Sequence, residues 1–276
     1  MHRLILTSIV IIYACCANAY EIKVDPLIKE AERRILSEMQ SSKKTPEDYF
    51  KTYLHAAEEA VRISRIQEAL YFYNQALSYD TKSDKFSIYS QMVGLSLFSG
   101  QKELGIKIYS DYEKEYSKKN RSSQNQAEYL MYKVLTTNKL HSEVLNKEEI
   151  KFMMKDSQVS KPIFQHDIEQ YFNRSEFEKI YALYKNDGRA HTQMDDQIIY
   201  DLTSILAKQK HQLHCESKFR EYPEAQFSSY SMTICGMLIQ VQNGQKPNKQ
   251  DLSRLQNILK NFPRKKFLYS AAQKLF

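Results

Sequence analysis

The chain holds 276 residues, of which 42% are hydrophobic and 26% charged, so it carries enough apolar side chain to bury a sizeable core. Six glycines and six prolines are about a third of the usual share, which leaves an all-β or Rossmann-like chain without its turn chemistry and makes an all-α fold the economical expectation. A formal charge of +7 favours acidic partners, yet bases and acids are interleaved along the predicted helices, which argues against nucleic acid as a partner.

Residues 1–19 read as an export signal rather than as part of that core. Met1-His2-Arg3 is a short basic start, Leu4 to Cys16 is an apolar run too short to span a bilayer comfortably, and Ala17-Asn18-Ala19 has the small-x-small pattern of a signal-peptidase site. Cleavage there would leave Tyr20 first, lower the formal charge to +6 by loss of Arg3, and send the protein to a periplasmic or secreted location. Lipidation competes with this reading: Ile12-Tyr13-Ala14-Cys15 resembles a bacterial lipobox, and only a chain lipidated at Cys15 has a membrane as partner.

Residues 20–44 are expected to carry an N-terminal amphipathic helix. Asp25-Pro26 caps and starts it, Leu27, Ala31, Ile35 and Met39 form its apolar stripe, and Ser41 to Pro46 breaks it. Thr45 to Asp48 restarts the chain with a capping-box-like pattern. The next helix offers Tyr53, Ala56, Ala57 and Ala60 for close packing, and Ser64 to Thr81 sets Ala69, Tyr73 and Ala76 on one face at spacings of four and three. Ser64, Ala69 and Tyr73 return 36 residues later as Gly100, Gly105 and Tyr109, with Ser64 and Gly100 at the tight turns between helices.

That order of small and aromatic residues resembles the tetratricopeptide repeat (TPR), whose period is roughly 34 residues. The resemblance implies two repeats over 45–118, degenerate repeats with a C-terminal capping helix over 119–276, and a right-handed superhelical stack of antiparallel helical hairpins. An ordinary amphipathic helical hairpin would show the same spacings. The resemblance also implies that the first helix of each repeat lines a concave, partner-binding groove. Lys51, Leu54, Glu58, Val61 and Arg62 take that place in the first repeat, and Ser87, Ser90, Gly94, Leu97 and Phe98 in the second. Some family members clamp a terminal carboxylate with a particular lysine and asparagine set. Here Leu54 and Glu58 stand where two of those residues would be, which puts such a ligand in doubt.

Further on, Lys118 to Gln126 and Lys155 to Pro162 read as polar loops, with an eroded repeat around Tyr129, Tyr132, Leu140 and Val144 between them. Asn146 to Glu149, Ser175 to Glu178 and Asn248 to Asp251 read as helix starts, and Phe177, Ile180 and Tyr184 repeat the apolar spacing. Tyr222-Pro223 and Phe262-Pro263 read as hinges, since proline ends one helix and can begin the next. The last helix, Lys265 to Phe276, carries Phe267, Leu268, Ala271, Ala272 and Leu275 on one side, as a cap or part of a partner site. With 20 tyrosines and no tryptophan, tyrosine is expected to supply much of the aromatic packing, its hydroxyl at a wet edge.

Export would leave Cys215 and Cys235 as the remaining cysteines, either disulfide-bonded across neighbouring helices or buried as two separate thiols. A bond would stabilise by about 3 kcal/mol in the chain-entropy model. There is no glycine-rich phosphate loop, HExxH, GxSxG or zinc-spaced cysteine quartet, so neither a catalytic residue nor a cofactor is expected. His211, His214 and Cys215, joined by Cys235, could instead hold Zn²⁺ or Cu⁺, and His191, Met194 and Asp195 form a weaker set. Glu58-Glu59 and Asp195-Asp196 read as solvated faces. The favoured function is a non-enzymatic, exported scaffold binding a protein or peptide through Lys51, Leu54, Glu58, Arg62, Gly94 and Phe98. A wall-acting enzyme with a site assembled from distant residues, or a metal-handling protein, is the alternative.

Overall fold

The computed structural model describes residues 20–40, 44–79, 85–117, 122–187, 194–209, 212–217, 229–262 and 265–276. The export signal of residues 1–19, both cysteines in it, His191, His211, Tyr222-Pro223 and Pro263 lie outside them. Every regular element among the described residues is helical. The chain divides after Thr136 into an amino-terminal and a carboxy-terminal unit.

The amino-terminal unit contains α1 (Pro26–Gln40), α2 (Pro46–Arg62), α3 (Ile66–Leu77), α4 (Phe86–Phe98), α5 (Lys102–Ser117) and α6 (Ser123–Leu135). Asp25 caps α1 by accepting from the Ile28 amide at 3.0 Å. Of the expected apolar stripe Met39 is buried and Ala31 and Ile35 are half-buried, but Leu27 is 76% exposed and Ile28 is buried in its stead. Thr45 and Asp48 form the capping box of α2 with Pro46 in its first turn, as their order predicts. α2 packs on α3 and α4 on α5, and α3 joins the two hairpins by packing on α4. Small residues set the approach of the helices. Ala57, Ala60, Ala69 and Ala76 are buried, and a Cβ added to Gly105 would lie 2.8 Å from Leu97 Cδ2. The expected loop at 118–126 is shorter than its polarity suggested, because Ser122 accepts from the Asn125 amide and starts α6.

The carboxy-terminal unit contains α7 (His141–Val144), α8 (Lys147–Met153), α9 (Ser157–Asn173), α10 (Phe177–Asp187), α11 (Met194–Leu206), α12 (Ser229–Gln242), α13 (Lys249–Leu259) and α14 (Phe267–Gln273). Asn146 and Glu149 form the expected capping box of α8. The second expected loop, 155–162, is instead the start of α9: Asp156 caps it and Pro162 sits inside. Proline removes its own N–H and crowds the carbonyl four positions back, and the helix is retained by the buried face of Val159, Ile163 and Phe164. α14 packs on its neighbour α13 and also returns to α9, where Phe267 meets Phe172 with ring centroids 4.9 Å apart. That contact brings the last helix of the unit back to α9 rather than leaving it on α13 alone.

One turn recurs through both units. At Ser64, Gly100, Ser175, Lys208 and Gly244 the backbone takes positive φ, at 61°, 81°, 58°, 53° and 72°. In each case the next residue's amide bonds the carbonyl five positions back, as Arg65 does to Ala60 and Glu176 to Tyr171. This is the Schellman ending, which satisfies the last carbonyls of one helix and turns the chain sharply into the next. Ser175, expected as a helix cap, is therefore the turn residue that ends α9.

Tyrosines fill the core, but their hydroxyls are not all wet. Tyr53, Tyr112, Tyr184 and Tyr230 are among the largest fully buried side chains. Tyr184 and Tyr230 donate to Asp196 and Asp195, whereas the Tyr112 hydroxyl is buried without a hydrogen-bond partner. The Asp195-Asp196 pair is thus no solvated face. Asp196 is buried and its carboxyl is pushed above the usual range, chiefly by burial.

Candidate functional site

Leu54, Glu58 and Val61 recur at spacings of four and three, so they share one face of α2. Ser87, Ile88 and Gln91 face them from α4, and Tyr73 of α3 closes the site, giving a groove of about 280 Å³. Its interior is apolar, because Ile88 and Tyr73 are buried there, while Glu58, Ser87 and Gln91 are exposed. The Tyr73 hydroxyl is pushed up to about 12 by burial and by the neighbouring Glu58, so it stays protonated as a hydrogen-bond donor. Glu58 is the charged lining residue.

The remaining expected partner residues spread around this groove. Lys51, one helical turn before Leu54, is exposed and pairs with Glu47 at 3.4 Å. Arg62 is exposed and donates to Glu59 through Nε at 2.9 Å and one terminal nitrogen at 2.6 Å. That bond holds the Glu59 carboxyl below the usual range. Phe98 is 40% exposed at the end of α4. Gly94 is a correction: it is buried, and a Cβ there would lie 2.7 Å from the Tyr132 hydroxyl, so it is a packing position and not a surface. Ser90 and Leu97 are buried as well. Family position alone placed these three at the surface; α6 with Glu128 and Tyr132 covers Ser90 and Gly94, and Leu97 packs against Gly105 of α5. Ser90 and Tyr132 meet through hydrogen bonds to Glu128 and from Tyr132 to the Ser90 carbonyl.

In the carboxy-terminal unit Cys215 and Cys235 form a disulfide with an S–S distance of 2.04 Å, both buried. Neither sulfur remains as a thiolate ligand, and no metal-holding cluster of histidine, cysteine and carboxylate residues occurs among the described residues. The expected metal set therefore loses two of its donors. What surrounds the disulfide is a polar network that periodicity did not reveal. Asp201 is fully buried and accepts from Gln197 at 2.9 Å and from the backbone amides of His214 and Cys215 at 3.1 and 2.9 Å. A second buried carboxylate, Asp167, accepts from the His141 amide and contacts its ring, fixing the chain that enters α7.

Asp196 lies with Glu169, Tyr184 and Lys265 around a cavity of about 20 Å³, room for one water and not for a substrate. A larger hollow of about 380 Å³ lies between the turns at Ser175 and Lys208, but Lys179 and Glu176 in it are already paired at 3.0 Å. Among the described residues no helix is long and apolar enough to cross a membrane. In comparisons with known proteins, no family model, no curated protein and no solved structure matches the chain.

Proposed function

We propose that the protein is an exported, non-enzymatic scaffold whose amino-terminal unit is a right-handed, TPR-like stack of two hairpins that holds an extended segment of another protein. The observation that carries this reading is the groove itself, built from the first helices of two successive hairpins with Tyr73 between them. At about 280 Å³ it falls just below the range of small-molecule and cofactor sites, and it suits one anchoring side chain of a longer chain laid across it. Leu54, Val61 and Ile88 receive an apolar anchor, and Glu58, Ser87 and Gln91 offer hydrogen bonds to the backbone beside it. The formal charge of +6 left after loss of Arg3 attracts acidic partners at long range, whereas Glu58 favours a donor or cation at the point of contact.

The test is a photo-crosslinking amino acid at Ser87, expressed in the native cell envelope, with Lys151 of the carboxy-terminal unit as control position. A discrete polypeptide adduct at Ser87, lost when Leu54→Glu puts a charge on the apolar lining of the groove, is the expected result. Equal adducts at both positions, or an adduct indifferent to Leu54→Glu in a folded protein, would remove the groove as the partner site.

A further inference from the structure

Before α1 the chain runs extended from Tyr20 to Val24, and it is held there by side chains of α3 and α5. Asn74 reads both main-chain groups of one residue: its Oδ1 accepts from the Tyr20 nitrogen at 2.9 Å and its Nδ2 donates to the Tyr20 carbonyl at 2.9 Å. Seven residues earlier, on the same face of α3, Gln67 Nε2 donates to the Lys23 carbonyl at 3.0 Å. The Tyr20 hydroxyl donates to Asp111 Oδ2 of α5 at 2.5 Å, and burial together with that bond pushes the phenol well above its ordinary range. Ile22 is buried and Tyr20 and Val24 are half-buried, while Glu21 and Lys23 face out, the alternation of a strand laid on a surface.

Asn74 explains itself only through this segment. It lies 3% exposed among Leu70, Phe72, Tyr73 and Ala76, where an unpaired amide would be costly, and the hydrogen bonds recorded for it are the two to Tyr20.

We propose that Gln67, Asn74 and Asp111 form a docking slot for an extended polypeptide that begins with tyrosine, and that Tyr20 to Val24 are its built-in occupant, seated as the first residues of the processed chain. The main-chain bonds accept any sequence, and the phenol-to-carboxylate bond selects tyrosine over phenylalanine. Their place at the amino terminus rests on the proposed export. Hydrolysis of the Ala19–Tyr20 bond adds the water oxygen to the Ala19 carboxyl and leaves Tyr20 with an ammonium group, which makes its bond to Asn74 charge-assisted. Because Asn74 and Asp111 belong to successive hairpins, the seated segment also ties those hairpins together.

The experiment uses the chain from Tyr20 to Phe276, which contains every described residue, and follows trypsin release of Tyr20–Lys23 by mass spectrometry. Asn74→Ala, Asp111→Asn and Tyr20→Phe should each speed that release at least tenfold while cuts elsewhere keep their rates. Asp111→Asn and Tyr20→Phe are mild changes at the edge of the slot, so they decide the matter if Asn74→Ala does not fold, and unchanged release in both overturns the slot. A synthetic Tyr-Glu-Ile-Lys-Val-Asp peptide, labelled at its carboxyl end, should bind the Tyr20→Ala chain saturably, and at least threefold more weakly once its amine is acetylated. Equal binding of the two peptides overturns the first-residue clause. A native amino terminus other than Tyr20, read by intact mass, overturns the export reading while the proteolysis still judges the slot.

Discussion

The two units reach stability by different means. In the amino-terminal unit the helices are brought together by small residues, Ala57, Ala60, Ala69, Ala76, Gly94 and Gly105, and filled by aromatic rings such as Tyr116 and Tyr129, stacked with centroids 4.1 Å apart. The carboxy-terminal unit relies on a disulfide, on buried carboxylates that each serve a named partner, and on the return of α14 to α9. Shape complementarity leaves a face open between hairpins, which is where the groove lies. Specific polar and covalent links close the packed interior of a unit, where the cavity beside Asp196 has room for a single water, and the larger hollow of about 380 Å³ in that unit lies at the turns of Ser175 and Lys208.

The sharpest way to break this contrast is to remove the covalent link. The double replacement of Cys215 and Cys235 by alanine should lower the stability of the carboxy-terminal unit by about 3 kcal/mol, the entropy cost of releasing a loop of that order. Hydrogen exchange resolved by peptide is the right measurement, since the chain has no tryptophan to report on either unit. Protection should fall in α11 and α12 and hold in α2 to α5. Equal loss in both units would show that the disulfide supports the whole chain and that the contrast is false.

The difference also explains what the sequence disclosed. Alternating small and aromatic residues are local and periodic, so the hairpins around Ala69 and Gly105 and the turns at Ser64 and Gly100 could be read before any coordinates. Asp201 could not be. Its partners, the amides of His214 and Cys215, lie 13 and 14 residues away and depend on a backbone path that no spacing encodes. Gly94 was legible as a small residue at a repeat position but was assigned to the wrong surface, because Tyr132, 38 residues on, covers it. Of the groove, Leu54, Glu58, Val61 and Ser87 came from the resemblance to the TPR, while Tyr73 was read as packing only, since one aromatic can serve both the core and a groove floor. The docked segment at Tyr20 had no periodic signal of its own.

A smaller effect sharpens the shape-complementarity side of the comparison. Gly94→Ala gains about 1 kcal/mol of intrinsic helix propensity but presses a Cβ to 2.7 Å from the Tyr132 hydroxyl, and overpacking of this kind costs about 1–3 kcal/mol. A net loss of about 1 kcal/mol is expected. In a Tyr132→Phe background the obstructing oxygen is gone, and the same substitution should become neutral or stabilising. A double-mutant cycle by denaturant unfolding reads the sign change, and additive effects would mean that the two residues are not in contact.

The smallest effect concerns a long-range ion pair of the carboxy-terminal unit. Arg62 and Glu59 of the amino-terminal unit pair within one helical turn, but Arg174 reaches Glu143 across 31 positions with two bonds of 2.8 Å, joining α7 to the end of α9. Those bonds, and then the Leu140 amide donating to Glu143 at 2.8 Å, lower the Glu143 carboxyl to about 2 from 4.5. A carboxyl whose folded value is depressed stabilises the fold above its unfolded value and loses that contribution as pH falls through the folded one. The contribution of Glu143 should therefore be complete above about 4.5 and disappear as the pH falls through about 2. Because both side chains are exposed to solvent, the loss in overall stability should be slight, and the titration itself is the readout. Carboxyl NMR of Arg174→Ala should show the Glu143 midpoint rising but stopping short of 4.5, since the Leu140 amide still favours the ionised form. An unmoved midpoint would assign the whole depression to the backbone and leave the contact of Asp167 with His141 as the tie of α7 to α9, whereas Arg62→Ala should move Glu59 alone.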